Sequence, residues 1–195
     1  HPRPDERHIR YQDARDLKKT VTTELNIEGN PVPEFIDLVL EVCPDQVTLV
    51  PDAPDAITSN AGWDTRAHGQ YLKGVIDLFK KEGIRTSIFV DPDPEMVRAA
   101  RDTGTDRVEL YTESYASAFG KDPEAAVAPF RRAAEAAAAV GIGLNAGHDL
   151  NLDNIRWFRQ QVPHLLEVSI GHALICESLY LGLENVVNMY KHKLR

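Results

Sequence analysis

Ile142-Gly143-Leu144-Asn145-Ala146-Gly147-His148 is a short apolar run that stops on a glycine and a titratable side chain. It has two counterparts, Asn26-Ile27-Glu28-Gly29 and Ser169-Ile170-Gly171-His172. A buried strand that ends in this way delivers a reactive group to one edge of a sheet, beside a glycine that lets ligand atoms approach the backbone. Working outward, six such runs are found: Thr22 to Glu28, Gln46 to Pro51, Arg85 to Asp91, Arg107 to Thr112, Ile142 to Gly147 and Leu165 to Gly171. Helical periodicity lies between them. Strands alternating with helices predict parallel βα units and a sheet buried on both faces, with all the strand tails on one side.

The intervening segments carry helix signals. Pro31 and Pro33 open a helix with Phe35, Ile36, Val39 and Leu40 on its apolar face, and Pro44 forbids its continuation. A second helix is predicted from about Arg66 to Glu82, stopped by Gly83. Asp93-Pro94 reads as an N-cap and first-turn proline for a helix ending near Gly104. The alanine-rich stretch Glu124 to Val140 is helical by propensity, with Pro129 beginning or kinking a segment and Gly141 ending it. Asn151 or Asp153 caps the next helix. In the last, Ile175, Leu179, Leu183 and Val187 fall four apart with Val186 and Tyr190 beside them, which reads as a core-packing stripe.

The 195 residues, 43% of them hydrophobic, suffice for one core, and residues 1–195 are read as a single domain. No run approaches the roughly 18 apolar residues of a membrane span. The net charge of 22 − 30 = −8 argues against a nucleic-acid surface and requires that an anionic substrate be held by local positive groups. Arg3, Arg7 and Arg10 form the dense basic cluster nearest a candidate site. Cys43 and Cys176, far apart in apolar contexts, read as reduced core thiols of a cytosolic protein. The chain opens on His1 without a methionine, and six strands fall short of the eight that a (β/α)₈ barrel builds from roughly 250 residues. The expectation is therefore an N-terminally incomplete TIM barrel lacking its first strand and most of its second.

Several stretches together carry a resemblance. His1-Pro2-Arg3-Pro4-Asp5-Glu6-Arg7-His8-Ile9, Asn26-Ile27-Glu28, Leu49-Val50-Pro51, Ile57-Thr58, Glu109-Leu110-Tyr111-Thr112, Asn145-Ala146-Gly147-His148 and Ser169-Ile170-Gly171-His172-Ala173 resemble, in order, the motifs of the pyridoxine 5′-phosphate synthase family. The resemblance implies a TIM barrel that condenses 1-deoxy-D-xylulose 5-phosphate with 3-amino-2-oxopropyl phosphate, giving pyridoxine 5′-phosphate, phosphate and water. It implies no metal and no organic cofactor, small phosphorylated substrates as partners, a cytoplasmic location and a homo-oligomer, an octamer in the family.

Ring closure of this kind needs imine formation, loss of phosphate and water, and deprotonation of carbon beside a carbonyl or imine. Several groups of different pKa around one water-poor pocket suit those steps better than one nucleophile. By resemblance, Glu28 and His1 accept protons, His148 donates one and Glu109 stabilises charge. Arg3, His8 and Thr58 hold the deoxyxylulose phosphate, and Gly171 and His172 hold the aminooxopropyl phosphate. Asp149 departs from the glycine of many relatives; its carboxylate is expected to point outward and its backbone N–H to serve the substrate.

Taken singly, each of these residues has a structural reading. Glu28 caps a helix or pairs with an arginine, His148 and His172 are hydrogen-bonded structural histidines, and Thr58 is a turn residue. Glu109, alternating with Val108 and Leu110, faces the barrel interior, where an unpaired charge is costly and an arginine partner is the structural expectation. His68, His164 and His192 read as surface residues. A metal-dependent barrel hydrolase using His1, Glu28, His148 and His172 is an alternative, unsupported by any His-x-His or His-Glu-x-x-His spacing. A Schiff-base aldolase would need a strand-end lysine, which none of the six tails has. An inactive barrel fragment with open edges is the remaining alternative.

Overall fold

A computed structural model describes residues 1–53, 56 and 58–195. Ile57, quoted beside Thr58 above, lies outside the described residues. Six strands occupy the six predicted runs: β1 (Asn26–Gly29), β2 (Gln46–Leu49), β3 (Arg85–Val90), β4 (Arg107–Tyr111), β5 (Gly143–His148) and β6 (Leu165–Ile170). They form one sheet in chain order, and every neighbouring pair is parallel. Helix α1 (Tyr11–Thr20) precedes β1, and α2 (Pro33–Val42), α3 (Gly69–Lys81) and α4 (Pro94–Ala100) follow the next three tails. Helices α5 (Glu113–Phe119), α6 (Pro123–Val140), α7 (Ile155–Gln161), α8 (His172–Leu181) and α9 (Leu183–Lys193) complete the order.

The predicted punctuation operates as physical chemistry requires. Pro33 sits in the first turn of α2, and Cys43 adopts a left-handed conformation that ends it. Asp93 accepts a hydrogen bond from the Glu95 N–H ahead of Pro94, and Gly104 and Gly141 close their segments at φ 81° and 71°. Pro129 lies within α6, which runs through it to Val140. Asn151 accepts from the N–H groups of Asp153 and Asn154 just before α7.

The sheet is curled into an arc. Gln46 on β2 donates to Glu167 on β6 at 3.5 Å, although strands four places apart in a flat sheet are separated by about 19 Å. Alternation then sorts the side chains. Val47, Leu49, Ile88, Val90, Val108, Leu110, Leu144 and Ala146 are fully buried beneath the helices. Their neighbours Gln46, Thr48, Ser87, Glu109 and Asn145 line the concave face and are buried too. Under the helices, Tyr115, Phe130 and Phe158 stack edge to face with centroids 4.9 to 5.9 Å apart. At the strand starts, Arg107 donates to Glu167 at 2.7 Å and Arg85 to Gln46 at 2.7 Å.

Three expectations are corrected. Of the C-terminal stripe, Ile175, Leu179, Leu183 and Val187 are exposed at 57, 80, 57 and 37% rather than packed in the core, while Val186 and Tyr190 beside them are buried in it. Gly182, at φ 82°, breaks the segment into α8 and α9, so the four residues do not share one helical face. Cys43 and Cys176 are exposed thiols, not core residues. Two helices, α1 and α5, were not anticipated; each buries a single residue, Ala14 and Tyr115 respectively, and so has no apolar stripe to read.

Candidate active site

Glu28 and Glu109 approach each other closely enough across the arc to interact electrostatically. Ser169 on β6 donates to Glu109 at 3.4 Å and lies near Glu28 on β1. Glu109 is 2% exposed, and Glu28 is partly buried with the Asn26 amide donating to it at 3.1 Å. Burial pushes the Glu109 carboxyl well above the usual carboxylate range, and the nearby Glu28 and Glu167 charges push it further. Glu28 is raised too, chiefly by burial and then by Glu167, while His148 acts in the opposite direction. The arginine expected beside Glu109 goes elsewhere: Arg107, two residues earlier on β4, is paired with Glu167.

Gly147 makes this arrangement possible. A Cβ there would meet Glu109 Oε1 at 2.1 Å and Ser169 Cβ at 2.9 Å. The register that pairs Gly147 with Tyr111 on one side and Ser169 on the other leaves room for the carboxylate only if this residue has no side chain.

His148 ends β5 at φ 92°, a conformation that side chains other than glycine seldom adopt. Its Nδ1 lies 2.7 Å from Asp149 Oδ2 and its Nε2 lies 3.0 Å from Thr58 Oγ1. The Tyr111 ring stands edge-on to it with centroids 5.3 Å apart, and the Tyr111 hydroxyl donates to the Ser59 carbonyl at 3.2 Å. Burial raises the Tyr111 phenol, with Asp149 the first of several carboxylates acting in the same direction. Asp149 differs from expectation in both respects. Its carboxylate turns to the imidazole, and its backbone N–H donates to Thr112 Oγ1 at 3.1 Å.

Arg3 is buried at 7% exposure and its guanidinium serves the protein, donating to Asp52 at 3.0 Å and to the Ala56 carbonyl at 3.1 Å. Asp52 also accepts from Ser59 at 2.7 Å, so this buried pair anchors the loop that presents Thr58. His1 lines a small cavity with Arg3 and Asp52. Thus Glu28, Glu109, His148 and Thr58 come together, and His1 lies with Arg3 at the neighbouring cavity. His8 is exposed on the segment before α1. Gly171 and His172 are exposed at the start of α8, where His172 Nε2 faces Cys176 Sγ at 3.5 Å. His68, His164 and His192 are exposed, as read from the sequence. Among the described residues no group of three or more His, Cys, Asp or Glu side chains is arranged to hold a metal ion, and no helix is long and apolar enough to cross a membrane.

Sequence reasoning did not assign roles to Ser169, Thr112 or Tyr111, although all three sit in strand-end motifs. Thr112 clamps the tails of β4 and β5, its hydroxyl donating to the Gly147 carbonyl at 2.7 Å.

Fold and strand tails together define an α/β enzyme of the parallel-barrel kind, with carboxylates and imidazole gathered where its strands end. The model of the family described as "Pyridoxal phosphate biosynthesis protein PdxJ" matches residues 1–195, and the chain belongs to that family. A Flavobacterium johnsoniae protein named pyridoxine 5′-phosphate synthase is 66% identical over 195 residues, covering 100% of this chain and 82% of the relative. Proteins of the same name from Bacteroides thetaiotaomicron and Porphyromonas gingivalis are 62% and 57% identical, over 100% of this chain and 82% of each relative. Among solved structures, one provisionally assigned as a fructose-1,6-biphosphate aldolase from Coccidioides immitis superposes with a TM-score of 0.58 at 12% identity. It covers 94% of this chain and 72% of that one, and shows a shared TIM-barrel type of fold.

Proposed function

We propose that this protein is a synthase of vitamin B6 biosynthesis that condenses 1-deoxy-D-xylulose 5-phosphate with 3-amino-2-oxopropyl phosphate to give pyridoxine 5′-phosphate, phosphate and water. The observation that carries the reading is the meeting of Glu28, Glu109 and His148 at one end of the arc, in a chain 66% identical to a named synthase. Glu28, raised above the usual carboxylate range by burial, accepts a proton from substrate carbon, and His1 accepts another. Glu109, its carboxyl held well above the usual carboxylate range by burial, stabilises charge developing in the transition state. His148 donates a proton to a leaving oxygen.

Thr58 and His8 bind the sugar phosphate with Arg3, whose fork passes from Asp52 to the ligand or braces the loop that grips it. Gly171 and His172 hold the other phosphate at the N-terminus of α8. We place the enzyme in the cytoplasm as a homo-oligomer, octameric by family resemblance. The test is incubation of the protein with both phosphates while product fluorescence is followed. The fluorescence is expected to grow only when both substrates are present. Its absence with a folded protein would remove the assignment.

A further inference from the structure

Adjacent side chains on an extended strand point to opposite faces, so His148 and Asp149 should not meet. They meet because the chain turns at His148 with φ 92°. Such a conformation costs on the order of 1–3 kcal/mol and persists only where surrounding structure enforces it. Here Thr112 enforces it, accepting the Asp149 N–H at 3.1 Å while donating to the Gly147 carbonyl at 2.7 Å. The Asn154 amide adds a longer contact to the Asp149 carbonyl at 3.5 Å. What this strained turn achieves is a 2.7 Å contact between a carboxylate, which only accepts hydrogen bonds, and imidazole Nδ1.

We propose that Asp149 is a positioning residue for His148, fixing the ring in the tautomer that carries its proton on Nδ1. Nε2 is then the nitrogen left for chemistry. In the neutral ring it accepts from the Thr58 hydroxyl at 3.0 Å, and once protonated it donates toward whatever occupies that place. The Tyr111 edge limits rotation of the ring. The proposal deepens the reading above, in which His148 is the proton donor.

Two measurements test it separately. In ¹⁵N-labelled protein, at a pH where the ring is neutral, long-range ¹H–¹⁵N correlations identify the protonated nitrogen of each of the 7 histidines. A His148→Gln sample assigns the signal. The wild type should carry the proton on Nδ1, and Asp149→Ala should release the ring to the Nε2–H form that free histidine prefers. Turnover of both phosphates should fall on the order of tenfold to a hundredfold in kcat, as when the orienting partner of a functional histidine is removed. KM should change little, and Asp149→Asn, which keeps the shape, should fall between. A wild-type ring protonated on Nε2, an Asp149→Ala ring still protonated on Nδ1, or an unchanged kcat would each overturn the proposal. The tautomer is read without any assay of synthesis, so failure of the assigned reaction and failure of the Asp149 role are told apart.

Discussion

Replacing Glu109 by Gln should make the protein more stable at neutral pH and change it least in acid. The carboxyl is 2% exposed, has a neutral hydroxyl donor at 3.4 Å, and faces the charges of Glu28 and Glu167. Its proton affinity is therefore higher in the folded chain than in the unfolded one. Below the ordinary value of 4.5 both states hold the proton and the group costs nothing electrostatic. As the pH rises toward the raised folded value, the native state keeps a proton that the unfolded chain has lost. Stability then falls by up to about 1.4 kcal/mol per pH unit for one proton. Glutamine has the same shape and does not titrate, so this fall should vanish. Urea unfolding of both proteins at intervals from about pH 4 to about pH 8 reads the difference directly as a change in midpoint at constant slope. The advantage of Glu109→Gln should grow with pH above the ordinary carboxylate value and level off once the folded carboxyl has lost its proton, and each kcal/mol should raise Tm by about 2–4 °C in a chain of this size. A difference that stays flat over that range would show that the charged carboxylate is as comfortable in the fold as in water, refuting the argument from burial.

Three further substitutions probe neighbouring features. Gly147→Ala should destabilise the fold by about 1–3 kcal/mol through overpacking against Glu109 and Ser169, and Glu109→Ala in the same chain should recover part of the loss; equal stability of Gly147→Ala and wild type in denaturant would contradict the close approach. Glu28→Gln should lower kcat by about a hundredfold or more with an unchanged circular dichroism spectrum, and near-normal turnover would take Glu28 out of the mechanism. Arg3→Ala leaves Asp52 buried without its cation and should cost about 3–5 kcal/mol. It should also raise KM for the sugar phosphate, since the anchored loop carries Thr58; an unaltered KM in the folded variant would argue against that link.

Much of the fold was legible because its code is local. An apolar run ending at Gly29 or Gly147, a proline at a helix start and a glycine at a helix end depend on nearby residues alone. The C-terminal stripe misled for the same reason: four-residue spacing implies a face only while the helix is unbroken, and Gly182 breaks it. In the site, the inward direction of Glu109 follows from alternation along β4. The partners of these residues do not follow from it. That Ser169 reaches Glu109 depends on the curl of the sheet and on the register of β5 with β6, which shifts between Leu144 and Asn145. That Asp149 meets His148 depends on one positive φ, set by a threonine 36 or more residues away in sequence.

The three strand-end glycines show how far one local signal can diverge in meaning. Each was read as a gap through which ligand atoms reach the backbone. At Gly29 the gap is filled by the Phe35 ring, which a Cβ would meet at 2.4 Å, so this glycine serves the packing of α2. At Gly147 it is filled by the Glu109 carboxylate, so this glycine serves a neighbour's side chain. At Gly171, among the described residues beyond its chain neighbours, no heavy atom lies within 4 Å of the position a Cβ would take, and the N–H groups opening α8 follow directly. Of the three, only Gly171 keeps the open backbone that the sequence pattern suggested for all of them. An anion drawn to the positive end of a helix dipole would meet no side chain at that residue. The same tripeptide logic therefore yields a packing contact, a buried acid and an open backbone, and what separates them is which neighbouring element reaches the gap first.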